Sequence, residues 1–155
     1  MDPLFIDICI FVIANAVNLL MAALFLCRTR RMAGTESVLG IIIVFLALPL
    51  ILASLSYLLA AREWWTYVLP IPLIIFMFIE LLFDYILRLD FRSTPLLWPY
   101  LLLFYLGLLM MIGYSFLIGR LYGFATLGTY FLQLLATWYS YAKVGHGEEK
   151  QQTPA

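Results

Sequence analysis

Charge is what this chain has least of. Only 12% of its 155 residues are charged, against about 25% in an ordinary soluble domain. The hydrophobic share is 65% and the mean hydropathy is +1.02, so the composition excludes a soluble domain and predicts a polytopic membrane protein. The only His is His146, near the C-terminal end, which excludes an intramembrane bis-His haem and a His-based zinc or iron centre. No Lys precedes Lys143, so a mid-span Schiff-base lysine is absent. Ser54, Ser56 and Ser115 have no base beside them in sequence, as a nucleophile would need. Enzyme chemistry is therefore not indicated, and no cofactor or metal is expected. Met110 and Met111 read as core filler. Cys is scarce too: Cys9 and Cys27 lie ~27 Å apart along one helix, too far to pair, and read as free thiols. With zero net charge, nothing suggests a nucleic-acid partner.

What the chain does have is long apolar runs. Five are long enough to cross ~30 Å of hydrocarbon, which takes about 20 residues: Leu4 to Cys27, Val38 to Ala61, Val68 to Leu87, Pro95 to Ile118 and Tyr122 to Ala142. The predicted fold is an all-α bundle of five transmembrane helices, one helix followed by two hairpins. It forms a single domain over residues 1–144, with a polar, disordered cytoplasmic tail over 145–155. The first run opens after Asp2 and carries its basic residues behind it, so it is predicted to be a retained span and not a cleaved signal.

Basic residues set the orientation. Arg28, Arg30, Arg31, Arg88, Arg92, Lys143 and Lys150 fall on one side and only Arg62 and Arg120 on the other. This predicts the N-terminus outside and the C-terminus inside. Trp64, Trp65 and Tyr122 would then mark the outer interface, and Trp98, Trp138, Tyr139 and Tyr141 the inner one. The expected location is a cell membrane, of the bacterial or archaeal cytoplasmic kind, with the basic loops cytoplasmic. The three-Arg cluster acts as a topology signal that also touches anionic lipid.

Smaller signals refine the bundle. Thr94 and Pro95 read as an N-cap and first-turn pair opening span four. Pro49 should bend or loosen span two, and Pro70 and Pro72 sit near the start of span three. Gly107, Gly113, Gly123 and Gly128 read as close-packing positions. Ser56-Tyr57-Leu58-Leu59 and Ser115-Phe116-Leu117-Ile118 are a chance echo.

Function is most visible in the ionisable residues. Glu80 and Asp84 sit four apart inside span three, and an Asp at a helix centre in hydrocarbon costs roughly 2.5 to 3.5 kcal/mol, so such a residue needs a partner or a role. Asp84 and Arg88 can pair at the inner interface. Depth arithmetic places Asn15, Glu80 and Gln133 at one level, with Asn18 a turn further in. Asp7, Phe11, Asn15, Asn18 and Ala22 form one stripe on span one, and Ala125, Thr129, Gln133, Ala136 and Ser140 another on span five. Two functional assignments follow. One is a non-catalytic subunit or anchor of a larger membrane complex, which would meet its partner through spans four and five (Gly107, Gly113, Ser115) and the tail from Lys143. The other is a stand-alone carrier or receptor in which Glu80, Asp84, Asn15, Asn18 and Gln133 bind a small lipophilic or cationic ligand or relay protons.

Overall fold

The computed structural model describes residues 3–87 and 94–144. Arg88, Arg92, His146, Lys150 and the tail predicted over 145–155 lie outside the described residues, as does Asp2. Within them the fold is all-α: α1 Pro3–Thr29, α2 Ala33–Phe45, α3 Ala47–Leu59, a short α4 Trp65–Val68, α5 Ile71–Glu80 continued by a π-helical segment Leu81–Ile86, α6 Leu97–Ile118 and α7 Arg120–Val144. Four stretches are long and apolar enough to cross a membrane: Pro3–Thr29, Gly34–Leu59, Trp65–Ile86 and Leu97–Ile118. The fifth expected span is a helix of 25 residues, α7, diluted by Thr126, Thr129, Gln133, Thr137 and Ser140.

The helices are neighbours in a ring. α1 packs on α7 and α2, α7 on α6, α6 on α5, and α5 closes the ring against α2 and α3. Ile10, Val17, Leu50, Leu73, Phe76, Met77, Leu108, Met111 and Tyr114 fill its centre with almost no exposure, so Met111 is the filler that composition suggests. The outward leucines and phenylalanines would simply be solvated by acyl chains. Trp64, Trp98 and Trp138 are exposed. Trp65 instead turns inward, edge-on to Tyr114 at 5.5 Å between ring centroids.

Prolines break the second and third spans. Pro49 has no N–H to offer the carbonyl four residues back, and α2 gives way to α3 at Leu46, whose carbonyl accepts a stretched 3.4 Å bond from the Leu50 amide. Around Pro70 the short α4 ends and α5 begins. The Thr94 cap is a correction: α6 opens later, at Leu97, from an N-cap at Leu96 without a side-chain bond. The amides of Leu97 and Trp98 instead donate to the carbonyls of Thr94 and Pro95 in a preceding turn.

Two helix ends share one device. At α1 the Met32 amide donates to the Cys27 carbonyl and the Arg31 amide to that of Arg28; at α3 the Arg62 amide donates to Tyr57 and the Ala61 amide to Leu58. Both are Schellman closures, which need a left-handed residue. Arg31 (φ 56°) and Ala61 (φ 49°) supply it without being glycine. Arg28 pairs with Glu36 at 2.6 Å, which leaves Arg30 and Arg31 as the exposed members of the basic cluster.

Only some glycines are close-packing positions. A Cβ on Gly107 would meet the Leu73 backbone at 3.0 Å, and one on Gly123 would strike the Phe116 ring. Gly113 and Gly128 face open space, which corrects their assignment as packing positions. Cys9 and Cys27 are unpaired and half-buried.

Candidate functional site

Inside the bundle, among the described residues, polar side chains of different spans meet in three places, two of them between ring neighbours and the third across the ring from α1 to α3 and α6. The first is the seam between α1 and α7. These helices lie side by side with Asn15 level with Thr126 and Thr129: Asn15 Nδ2 donates to Thr126 Oγ1 (3.1 Å) and to the Phe11 carbonyl (2.8 Å), and Thr129 Oγ1 donates to Asn15 Oδ1 (2.8 Å). Asn18 Nδ2 donates to Thr129 Oγ1 at 3.0 Å. Thr126 extends the seam to α6 by donating to Ser115 Oγ at 2.9 Å. Gln133 keeps its amide on its own helix, with Nε2 donating to Thr137 Oγ1 at 2.9 Å. Two acceptors are left over, for Asn18 Oδ1 and Gln133 Oε1 are buried and accept no hydrogen bond.

The stripe expected on α7 is therefore rotated slightly. Thr126, Gln133, Ala136, Thr137 and Ser140 are buried, whereas Ala125 is exposed. On α6, Gly107 and Ser115 are consumed internally, by Leu73 and by Thr126.

The second place is Glu80. It is 8% exposed, at the last residue of α5, and it accepts a hydrogen bond from the Tyr100 hydroxyl on α6. A buried carboxyl in hydrocarbon needs such a donor. The shared level expected for Asn15, Glu80 and Gln133 does not gather them into one site. α5 packs chiefly on α6 and α1 on α7, so residues equally deep meet different neighbours. Asp84 lies half-buried in the π-helical segment, a winding that recurs at functional positions.

The third place escaped the sequence. Asp7 Oδ1 accepts from Tyr114 (2.6 Å) and from Tyr57 (2.7 Å), and the Tyr57 hydroxyl is also 2.6 Å from the Pro3 carbonyl, so its proton is shared. Tyr57 is 3% exposed and Tyr114 0%. This cluster ties α1, α3 and α6 within little more than a turn of one end of each helix. Its signal was legible: Asp7 stands on the polar stripe of span one, and Tyr57 and Tyr114 each adjoin a serine of the two hairpin tips, at the same predicted level.

An apolar groove completes the inventory. About 420 Å³ in volume, it runs between α2/α3 and α5 with its π-helical continuation. Ile41, Phe45, Ala47 and Leu48 line one wall and Met77, Phe78, Leu81 and Tyr85 the other. Both walls contain an irregularity, the break at Leu46 and the α-to-π change at Leu81. Tyr85 closes one end, its hydroxyl donating to the Ser37 carbonyl at 3.2 Å. Among the described residues no group of three or more His, Cys, Asp or Glu is placed to hold a metal ion. No family model, curated protein or solved structure matches this chain.

Proposed function

We propose that the chain is a five-span membrane protein, N-terminus outside, that holds a lipophilic molecule in the groove between α2/α3 and α5, as a carrier or receptor. The groove is the observation that supports this. It is walled by apolar side chains, of a size usual for small-molecule sites, and lies where two helices are broken, as cavity-lining membrane helices often are. Glu80 and Asp84 stand on or beside the helix that forms one wall, so a ligand that moves this wall would also move the Glu80 and Tyr100 pair. That couples the groove to a mid-membrane acid and offers a route for proton handling. The test is groove filling. Native mass spectrometry of the full chain should show a retained lipophile that is lost in Ala47→Phe and kept in Leu132→Phe, on an exposed position of α7. Equal retention in both variants, or none in the wild type, overturns the proposal. For the orientation and the fifth span, single cysteines near Arg62 and Arg120 should react with an impermeant reagent from outside, and one near Arg31 should not.

A subunit role in a larger complex is favoured by one feature, the open flanks of Gly113 on α6 and Gly128 on α7. Exposed small residues let a second helix approach closely, in keeping with a partner docked on spans four and five and on the tail from Lys143. Migration of the native chain in mild detergent, alone or in a larger assembly, separates this role from the stand-alone one.

A further inference from the structure

Resting on the reading of the groove as a lipophile site, we infer that its occupant is one acyl chain of an anionic phospholipid whose phosphate sits at Arg30 and Arg31. The lining decides the tail. Every wall residue is apolar except Tyr85, whose hydroxyl is already engaged with the Ser37 carbonyl, so a polar group seated in the groove would lie unpaired at a cost. Phe45, Leu48 and Phe78 are more than half exposed, so the groove opens sideways on the bilayer and is entered from it. Its size fits a single chain. At ~30 Å³ for a group the size of a water, which a methylene roughly matches, a groove of about 420 Å³ holds about a dozen carbons.

One face of α2 leads from the groove to the basic turn. The wall residue Ile41, then Val38 and Gly34, follow one another at steps of three and four residues and share that face. Val38 is exposed and a Cβ on Gly34 would meet open space, so a lipid seated in the groove can continue along this face and reach, ~10 Å further on, the turn that carries Arg30 and Arg31. Both arginines are exposed. The Phe25 and Tyr141 rings, 6.4 Å apart, bring the ends of α1 and α7 to one level, so Lys143 stands at the same end of the bundle. Of the described acids there, Glu36 is neutralised by Arg28 at 2.6 Å and Asp84 likewise has a partner. The unspent charge is positive, and arginine's planar fork suits phosphate. A zwitterionic lipid presents the same chain, but its cationic end offsets the attraction.

In the experiment the full chain in mild detergent meets equal amounts of phosphatidylglycerol and phosphatidylcholine with identical chains, and bound lipid is read by native mass spectrometry. The expected result is one phosphatidylglycerol per protein, preferred about tenfold or more, since each basic residue near an anionic headgroup contributes about fivefold. Arg30→Gln with Arg31→Gln should keep a lipid and lose the preference. Arg62→Gln with Arg120→Gln, which removes as many charges at the other end, should keep both. Lysophosphatidylglycerol, with a single chain, should compete as well as the two-chain lipid. Equal retention of the two headgroups by the wild type, equal loss of preference in the two arginine pairs, or failure of the lysolipid to compete overturns the inference and leaves the groove reading standing. Ala47→Phe should lose both lipids. If it keeps phosphatidylglycerol with its preference intact, the phosphate is bound away from the groove, and the inference falls together with the groove reading.

Discussion

The two sides of the bundle are built on different principles. Where α1, α6 and α7 meet, side chains from facing helices bond to one another: Asn15, Asn18, Thr126, Thr129 and Ser115 form one chain of contacts, and Asp7 holds Tyr114. Where α2 and α3 meet α5, the contact is apolar, both walls are broken, and a groove of about 420 Å³ remains. Burial follows the same division, at 50% of the most apolar window of α1 against 28% for the α2/α3 span and 33% for the α5 span. The contrast has a physical origin. Lipid tails are as apolar as leucine, so in a membrane apolar contact alone gives two helices little reason to stay together, whereas polar bonds and close backbone approach do. The sewn side is the scaffold, and the apolar side carries the groove.

The comparison breaks first at Asp7. Replacing it with leucine strands the buried Tyr114 hydroxyl and removes one of the two acceptors of Tyr57, so Asp7→Leu should destabilise the fold by about 3 kcal/mol. Asp7→Asn keeps an acceptor in place and should cost about 1 kcal/mol. Unfolding midpoints in mixed detergent measure both. A near-neutral Asp7→Leu would mean that hydrogen bonds do not hold the sewn side.

Next in size is Glu80, which joins α5 to the sewn side through Tyr100. Glu80→Gln leaves an oxygen for the Tyr100 hydroxyl and should be tolerated, while Glu80→Leu takes that acceptor away at a cost of about 2 kcal/mol. If leucine is tolerated as well as glutamine, the bond to Tyr100 is not what keeps α5 in the ring.

How far the molecule could be read from its residues follows the same division. Helix positions were legible because apolar runs of about 20 residues have one plausible fate in lipid, and Pro49 foretold the break at Leu46 because a missing amide acts locally. Asn15 and Asn18 were placed on the protein-facing side of α1 by periodicity alone. Partners were not legible. Depth is a one-dimensional quantity, and it put Glu80 level with Asn15 and Gln133 without saying that α5 sits beside α6. Tyr100 and Tyr114 were passed over because in so aromatic a chain a tyrosine carries little signal until its hydroxyl has a destination. The groove was invisible for a further reason: it arises where two breaks face each other, a relation between helices distant in sequence.

A smaller effect sharpens the contrast between the two sides. Alanine at Gly107 would press on the Leu73 backbone at 3.0 Å, which cannot yield without parting α5 from α6, and should cost roughly 1 to 2 kcal/mol, within the range for overpacking. Alanine at Gly40 presses on the hydroxyl end of Tyr85, a side chain at the mouth of the groove that can swing away by giving up its long 3.2 Å bond to the Ser37 carbonyl. Gly40→Ala should therefore fall within about 0.5 kcal/mol of the wild type, since the gain in helix propensity offsets the displacement. Equal costs at the two positions would show that the groove side is as rigid as the scaffold.

The smallest effect tests whether the sides are coupled at all. Ala61 holds a left-handed conformation at the end of α3, which costs an L-residue roughly 1 to 2 kcal/mol. Glycine relieves that strain but loses more freedom on folding, so Ala61→Gly should stabilise by about 0.5 to 1 kcal/mol. The Schellman closure runs from the Arg62 amide to the carbonyl of Tyr57, and Tyr57 is the residue through which α3 reaches Asp7. A firmer cap should then hold the Tyr57 hydroxyl in place more strongly when Asp7 is present to receive it. Measured in a double-mutant cycle with Asp7→Leu, the gain from Ala61→Gly should shrink by a few tenths of a kcal/mol or more, beyond the scatter expected of independent sites. Strict additivity would show that the cap of α3 and the Asp7 cluster are independent, so that the Tyr57 bond to Asp7 ties α3 to the scaffold without help from the helix end.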